Sequence, residues 1–278
     1  MSTYVIGDVH GCYNELKALL THLEFNSNYD KVIFVGDLIG RGPKPVEVLD
    51  LVMDLESINV FGNHDIKFLA MAHEVIPFPS KDMQSLFESP RLDKYITWLS
   101  SSKLMYIDEN FQIIVTHAGI PPSWNVLTSA KEHVNFFENY LMTQGIKKTM
   151  QTIYANSVES LSWHNHMKEE EIIQYIIFGF TKMKYCYENG VFDTQYQCSP
   201  GQQPSYLKPW FILRNEERNN NYKIIFGHWA ALGLYQGKFV TCCDTGCVWG
   251  GKLTAIKIEP NWEIYQIDSN YNANKYLF

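Results

Sequence analysis

Short apolar runs, each followed at once by glycine and a polar residue, punctuate this chain. Tyr4-Val5-Ile6 leads into Gly7-Asp8-Val9-His10-Gly11, Lys31-Val32-Ile33-Phe34-Val35 into Gly36-Asp37, and Ile58-Asn59-Val60-Phe61 into Gly62-Asn63-His64-Asp65. Brief apolar runs bounded by turn residues predict buried strands. Between them the spacing becomes helical. Leu16, Leu19, Leu20 and Leu23 fall at i, i+3, i+4 and i+7 and predict an amphipathic helix over 13–23. Val46, Leu49 and Val52 predict a second helix after Pro43, and Phe68, Leu69 and Ala72 lie on a third. This repeated unit of strand, polar turn and helix predicts an α/β fold with a parallel sheet, whose sites gather beyond the carboxyl ends of the strands.

After Pro77 and Pro79 the alternation breaks, and 81–102 has a helical pattern. Gln112-Ile113-Ile114-Val115 then closes on Thr116-His117-Ala118-Gly119, and Lys223-Ile224-Ile225-Phe226 closes on Gly227-His228-Trp229-Ala230. Between these two units, 121–206 is polar, aromatic and helical in pattern. We expect a mainly helical cap insertion there that walls the site, within a single domain spanning 1–278. From Phe239 onward apolar and polar residues alternate, as expected of closing, largely antiparallel strands.

The chain has 278 residues, 46% of them hydrophobic, enough for an ample core. No apolar run approaches the ~20 residues that span a bilayer. Met1-Ser2-Thr3 runs straight into the first strand with no room for a signal sequence, so the expected location is the cytoplasm. Cys12, Cys186, Cys198, Cys242, Cys243 and Cys247 then read as reduced thiols. The 242–247 cluster invites a zinc reading, but it lacks the paired spacing of structural zinc sites, and buried thiols account for it better. A net charge of −7 argues against a broad polyanion-binding surface. An anionic substrate would need local neutralisation, which bound metal would supply.

The strand ends hold the residue types that do this. Asp8, His10, Asp37, Asn63, His117 and His228 all follow apolar runs, and all coordinate divalent metals through oxygen or imidazole nitrogen. One ion would take Asp8, His10 and Asp37. A second would take Asp37, Asn63, His117 and His228, with Asp37 bridging. Paired ions of this kind sit ~3.5–4 Å apart and acidify a shared water for in-line attack on phosphorus. Arg41 adds a planar fork for phosphate oxygens. His22, His73, His133, His164 and His166 have no such context and read as surface or locally bonded.

These motifs resemble the metallophosphoesterase superfamily in its phosphoprotein-phosphatase-like branch. The segments Gly40-Arg41-Gly42-Pro43, His117-Ala118-Gly119-Ile120-Pro121-Pro122, Phe180-Thr181-Lys182-Met183-Lys184-Tyr185-Cys186, Leu207-Lys208-Pro209-Trp210-Phe211 and Asp244-Thr245-Gly246-Cys247-Val248-Trp249-Gly250-Gly251 extend the resemblance to the symmetrical diadenosine tetraphosphatases of bacteria. The resemblance implies a four-layer α/β/β/α sandwich with a helical cap and hydrolysis of diadenosine tetraphosphate to two ADP. It also implies dependence on two divalent ions, manganese or cobalt, although the donors also suit iron or zinc. Related dinucleoside polyphosphates and nucleotide-capped RNA 5′ ends are implied as further substrates. No membrane or protein partner is expected. His64 would donate a proton to the departing ADP.

Two departures from the branch matter. Gly40 stands where protein phosphatases of the branch carry an Asp that partners the catalytic His. Loss of that carboxylate hurts expulsion of a serine alkoxide (pKa ~16) far more than expulsion of ADP (second pKa ~7), which favours an anhydride substrate. Lys182 and Lys184 stand where the family carries arginines. They keep the charge for binding polyphosphate but lose the bidentate fork. The competing readings are a protein Ser/Thr phosphatase, an RNA 5′-end decapping hydrolase using the same site, and a catalytically silent nucleotide sensor.

Overall fold

The three strand-and-helix units at the start of the chain form as β1 (Thr3–Ile6), α1 (Tyr13–His22), β2 (Lys31–Phe34), α2 (Pro45–Asp54), β3 (Ile58–Asn59) and α3 (Asn63–Ala72). The structure is a computed structural model that describes residues 2–77, 81–155, 160–164, 166–259 and 262–272. Pro79, one of the two prolines at which the pattern breaks, lies outside the described residues. The helical stretch after it resolves into α4 (Gln84–Phe87) and α5 (Leu92–Ser100). β4 (Tyr106–Asp108) and β5 (Ile113–Val115) follow, then α6 (Ser129–Ile153), β6 (Ser160–Leu161), α7 (Glu169–Thr181), β7 (Tyr185–Tyr187), β8 (Phe192–Asp193) and β9 (Leu207–Pro209). The chain continues through α8 (Glu216–Asn219), β10 (Lys223–Phe226), β11 (Tyr235–Gln236), β12 (Val240–Cys242), β13 (Lys252–Lys257) and β14 (Glu263–Asp268).

The strands assemble into two five-stranded sheets, ordered β14-β13-β1-β2-β3 and β11-β12-β10-β5-β4. Each has a parallel centre: β1, β2 and β3 run together in one, and β5, β10 and β12 in the other. Antiparallel strands close every edge but that of β3, as alternation in the tail predicted for β13 and β14.

Residues alternate between the two faces of a strand, and that alternation divides the core. Val5, Ile33, Val35 and Ile256 of the first sheet meet Ile113, Val115 and Ile225 of the second in one buried cluster between the sheets. Their neighbours Tyr4, Ile6, Phe34, Ile114, Ile224 and Phe226 join the larger core on the outer faces. There Leu16, Leu19 and Leu20 of α1 and Leu49 and Val52 of α2 are buried at positions that carried the helical period, joined by Val48, while Val46 is half-buried. The architecture is an α/β sandwich.

The segment between β5 and β10 holds the long helix α6, which bends at Gly145, and α7 packed against it. It also carries a four-stranded sheet, β6-β8-β7-β9, that periodicity did not signal. Strands of two or three residues are too short to establish a period. Arg214 ties the start of this segment to its end. Its guanidinium is buried and donates to the carbonyls of Ile120, Pro121 and Trp124 and to Asn219 Oδ1.

Candidate metal centre and active site

The carboxyl ends of the parallel strands converge on one pocket. Asp8 follows β1, Asp37 follows β2, Asn63 opens α3 after β3, His117 follows β5 and His228 follows β10. The backbone reaches these positions through left-handed conformations at His10 (φ +47°), Asp37 (φ +50°) and His228 (φ +65°). Non-glycine residues in this region are strained, and strain of this kind concentrates at functional sites. At Gly227 a side chain would collide with the Asp8 carboxylate, which instead accepts the His228 N–H with both oxygens at 3.1 Å.

Asp37 is the hub. Its Oδ2 lies 3.5 Å from Nε2 of His10 and 3.5 Å from Nε2 of His117, while Oδ1 accepts the His64 N–H at 2.8 Å. The Oδ1 of Asn63 is 3.1 Å from the same His117 nitrogen.

Three of the imidazoles spend their outer nitrogen on a backbone carbonyl. His10 Nδ1 donates to Ile39 at 3.3 Å, His117 Nδ1 to Val35 at 2.8 Å and His228 Nε2 to Lys182 at 3.1 Å. This fixes the tautomer of each neutral ring and turns its bare nitrogen inward, the arrangement that orients histidines as metal ligands. Two groups of donor atoms close enough to hold an ion result, one of His10, Asp37 and His64 and the other of Asp37, His117 and His228. Asp37 belongs to both.

The electrostatics fit cations. Burial raises the Asp37 carboxyl, but His117, His64 and His10 outweigh it and hold the group well below the usual carboxylate range. Burial lowers His117, yet Asp37 and Asp8 raise it to about 9. Burial pushes Asp8 up, and Asp244 pushes it further. The Asp37 and Asp8 carboxylates keep His117 protonated near neutrality, and divalent ions would displace its inward proton and take over the charge balance.

The pocket has a volume of about 320 Å³, and its walls include Arg41, His64, Lys184, Gln197, Asp244 and Trp249. Arg41, at φ +67°, lays its guanidinium over the Trp249 ring, 4.8 Å from the centroid. Lys184 reaches the pocket and donates to Gln197 Oε1 at 2.7 Å. Burial pushes its ammonium down, opposed by Asp244, Asp8 and Asp37. Lys182 is placed differently. Its carbonyl holds His228, and its ammonium lies over the Tyr154 ring, 5.5 Å from the centroid. Cys242, Cys243 and Cys247 are buried, and all six cysteines are unpaired.

Asp65 and Asp244 were not picked out from the sequence as site residues. Asp65 accepts N–H bonds from Asp37 (3.0 Å), Leu38 (3.2 Å) and Gly62 (3.1 Å), locking the β2 and β3 exits together. Asp244 is buried two residues past β12. Asp8, His117 and His228 stand two residues past their own strands, so Val240-Thr241-Cys242-Cys243-Asp244 carried the same signal.

A parallel-stranded sandwich with such a centre defines a phosphoesterase class, and the family model for calcineurin-like phosphoesterases matches residues 1–231. The chain belongs to this family. Within it, the chain groups with the symmetrical bis(5′-nucleosyl)-tetraphosphatases. It is 38% identical over 263 residues to the protein of that name from Klebsiella pneumoniae strain 342, covering 93% of this chain and 92% of the relative. The Coxiella burnetii strain RSA 331 relative of the same name is 35% identical over 262 residues, covering 93% and 89%. Among solved structures, a protein provisionally assigned as a diadenosine tetraphosphatase aligns with a TM-score of 0.66 at 21% identity, over 96% of this chain and 93% of that one. A serine/threonine phosphatase from Saccharomyces cerevisiae aligns with a TM-score of 0.56 at 14% identity, over 97% and 80%. These two likenesses concern the fold. Among the described residues, no helix is long and apolar enough to cross a membrane.

Proposed function

We propose that this protein hydrolyses diadenosine tetraphosphate symmetrically, one water adding across the central anhydride to leave two ADP. The observation that carries this reading is the similarity to symmetrical tetraphosphatases, which runs through 93% of the chain and is therefore not confined to a shared metal motif. Dinucleoside polyphosphates form the wider substrate class, because the charged walls of the pocket suit a phosphate chain.

In this reading Asp8, His10 and Asp37 hold one divalent ion, and Asp37, Asn63, His117 and His228 hold a second. Manganese and cobalt are the metals we favour, and iron or zinc would satisfy the same donors. When bound, the ions supply positive charge to the phosphate oxygens and lower the pKa of water. The carbonyls of Ile39, Val35 and Lys182 keep the imidazoles aimed. Arg41 binds equatorial oxygens of the phosphate under attack, and Lys184 neutralises the chain beside it. Lys182 serves through its carbonyl and adds charge at longer range. His64 donates to the bridging oxygen that leaves with ADP.

A carboxylate beside that histidine would favour alkoxide leaving groups, as in protein phosphatases. Here Gly40 occupies the position, which supports an anhydride substrate.

The test is metal dependence of tetraphosphate turnover. Chelation should abolish turnover, manganese or cobalt should restore it, and Asp37→Asn should lose metal and activity together. Full activity after exhaustive chelation would overturn the proposal.

A further inference from the structure

The Arg41 guanidinium projects from a loop into the pocket, yet the residue is exposed. An exposed arginine ordinarily samples many rotamers, and ordering it opposes binding. Here two contacts fix the main chain of the arginine loop, and a third restrains the side chain itself. The Arg41 N–H donates to Asp82 Oδ2, its carbonyl accepts the Tyr271 hydroxyl at 3.3 Å, and its guanidinium lies over Trp249.

The main chain that carries the indole is itself fixed. Trp249 ends a single helical turn that follows Asp244, and that turn is closed by Gly251 N–H to the Gly246 carbonyl at 2.9 Å and Lys252 N–H to the Thr245 carbonyl at 3.0 Å. The segment after β14 braces both partners. Ser269 N–H donates to the Gly251 carbonyl at 2.9 Å, and Tyr271, two residues on, holds Arg41. One short stretch therefore registers the arginine loop and the tryptophan turn against each other.

We propose that Trp249 is a positioning residue whose indole face holds the Arg41 guanidinium ready for the phosphate under attack. A guanidinium lying on an aromatic face engages the ring through its π surface, so its in-plane N–H donors remain available for phosphate oxygens. The contact preorganises an anion-binding fork without a carboxylate that substrate would have to displace. This inference rests on the proposed reading of Arg41 as a phosphate ligand. It differs from a base-stacking role, in which the indole would serve the nucleoside directly.

The two roles separate in a double-mutant cycle of Trp249→Leu and Arg41→Ala, read both as kcat/KM for diadenosine tetraphosphate and as the dissociation constant for ADP on manganese-loaded protein. Trp249→Leu alone should weaken both by about three- to tenfold. Trp249→Phe should recover most of the loss. In the Arg41→Ala background, Trp249→Leu should cost nothing further. An undiminished effect of Trp249→Leu without Arg41 would overturn the proposal and assign the indole to the base or to folding. If the wild type failed to cleave the tetraphosphate, the substrate reading would fall, and the ADP cycle would still decide the role of Trp249.

Discussion

Gly40 lies directly against the His64 imidazole: a Cβ at position 40 would stand 2.5 Å from His64 Nδ1, and that nitrogen is buried without a hydrogen-bond partner. The ring lines the pocket and Nδ1 is buried against Gly40, which leaves Nε2 to face substrate. A buried bare acceptor costs less than a buried unpaired N–H, which favours the neutral tautomer protonated at Nε2. Burial pushes the His64 pKa down to about 3, with Asp37 opposing the shift. His64 is then neutral throughout the physiological range and gives the leaving oxygen a hydrogen bond, not the full proton transfer expected from the sequence.

The pH dependence follows from that sign. With its pKa lowered, His64 is charged only in strong acid, and nothing about it titrates near neutrality. His64→Ala should lower kcat by roughly 100-fold, and the ratio of wild-type to variant kcat should stay flat from about pH 6 to 9. A ratio that falls as pH rises through about 6.5 would mean that His64 works as an imidazolium. Metal content, read by elemental analysis, should match the wild type. A lost ion would make His64 a ligand, in line with its closeness to His10 and Asp37.

Restoring the carboxylate should not convert the enzyme. Gly40 is at φ +87°, and Met83 lies 3.0 Å from where a Cβ would stand. Gly40→Asp should cost about 1–3 kcal/mol of stability from backbone strain, read by denaturant unfolding, and should not create phosphoprotein hydrolysis. A variant as stable as the wild type would show that the loop relaxes freely.

Asp65 carries no proposed contact with metal, yet its removal should be felt there. Asp65→Ala leaves the N–H groups of Asp37, Leu38 and Gly62 without their acceptor. Stability should drop by about 2–5 kcal/mol, and metal affinity by about 10–100-fold. Unchanged metal affinity in a folded variant would show that Asp37 is held without it.

Much of this centre is visible in the sequence because the strands and the polar residues that gather at their ends are neighbours along the chain. Asp8, His117 and His228 follow their apolar runs so closely that local pattern locates them. What escaped the sequence reading depends on tertiary structure. The carbonyl of Lys182 orients His228 while its side chain turns to Tyr154, and a backbone role leaves no trace in residue type. Asp65 acts through amides of the loop after β2 and of Gly62 at the start of its own helix. The small sheet of β6 to β9 is held by pairing between strands too short for any period. Asp244 is the exception, since its signal was present in the run after Val240.

The most direct test of the central claim is the identity of the products. Manganese-loaded protein incubated with diadenosine tetraphosphate should yield ADP alone, two molecules for each substrate consumed, when the nucleotides are resolved by chromatography. AMP together with ATP would place attack on an outer phosphorus and contradict symmetrical cleavage.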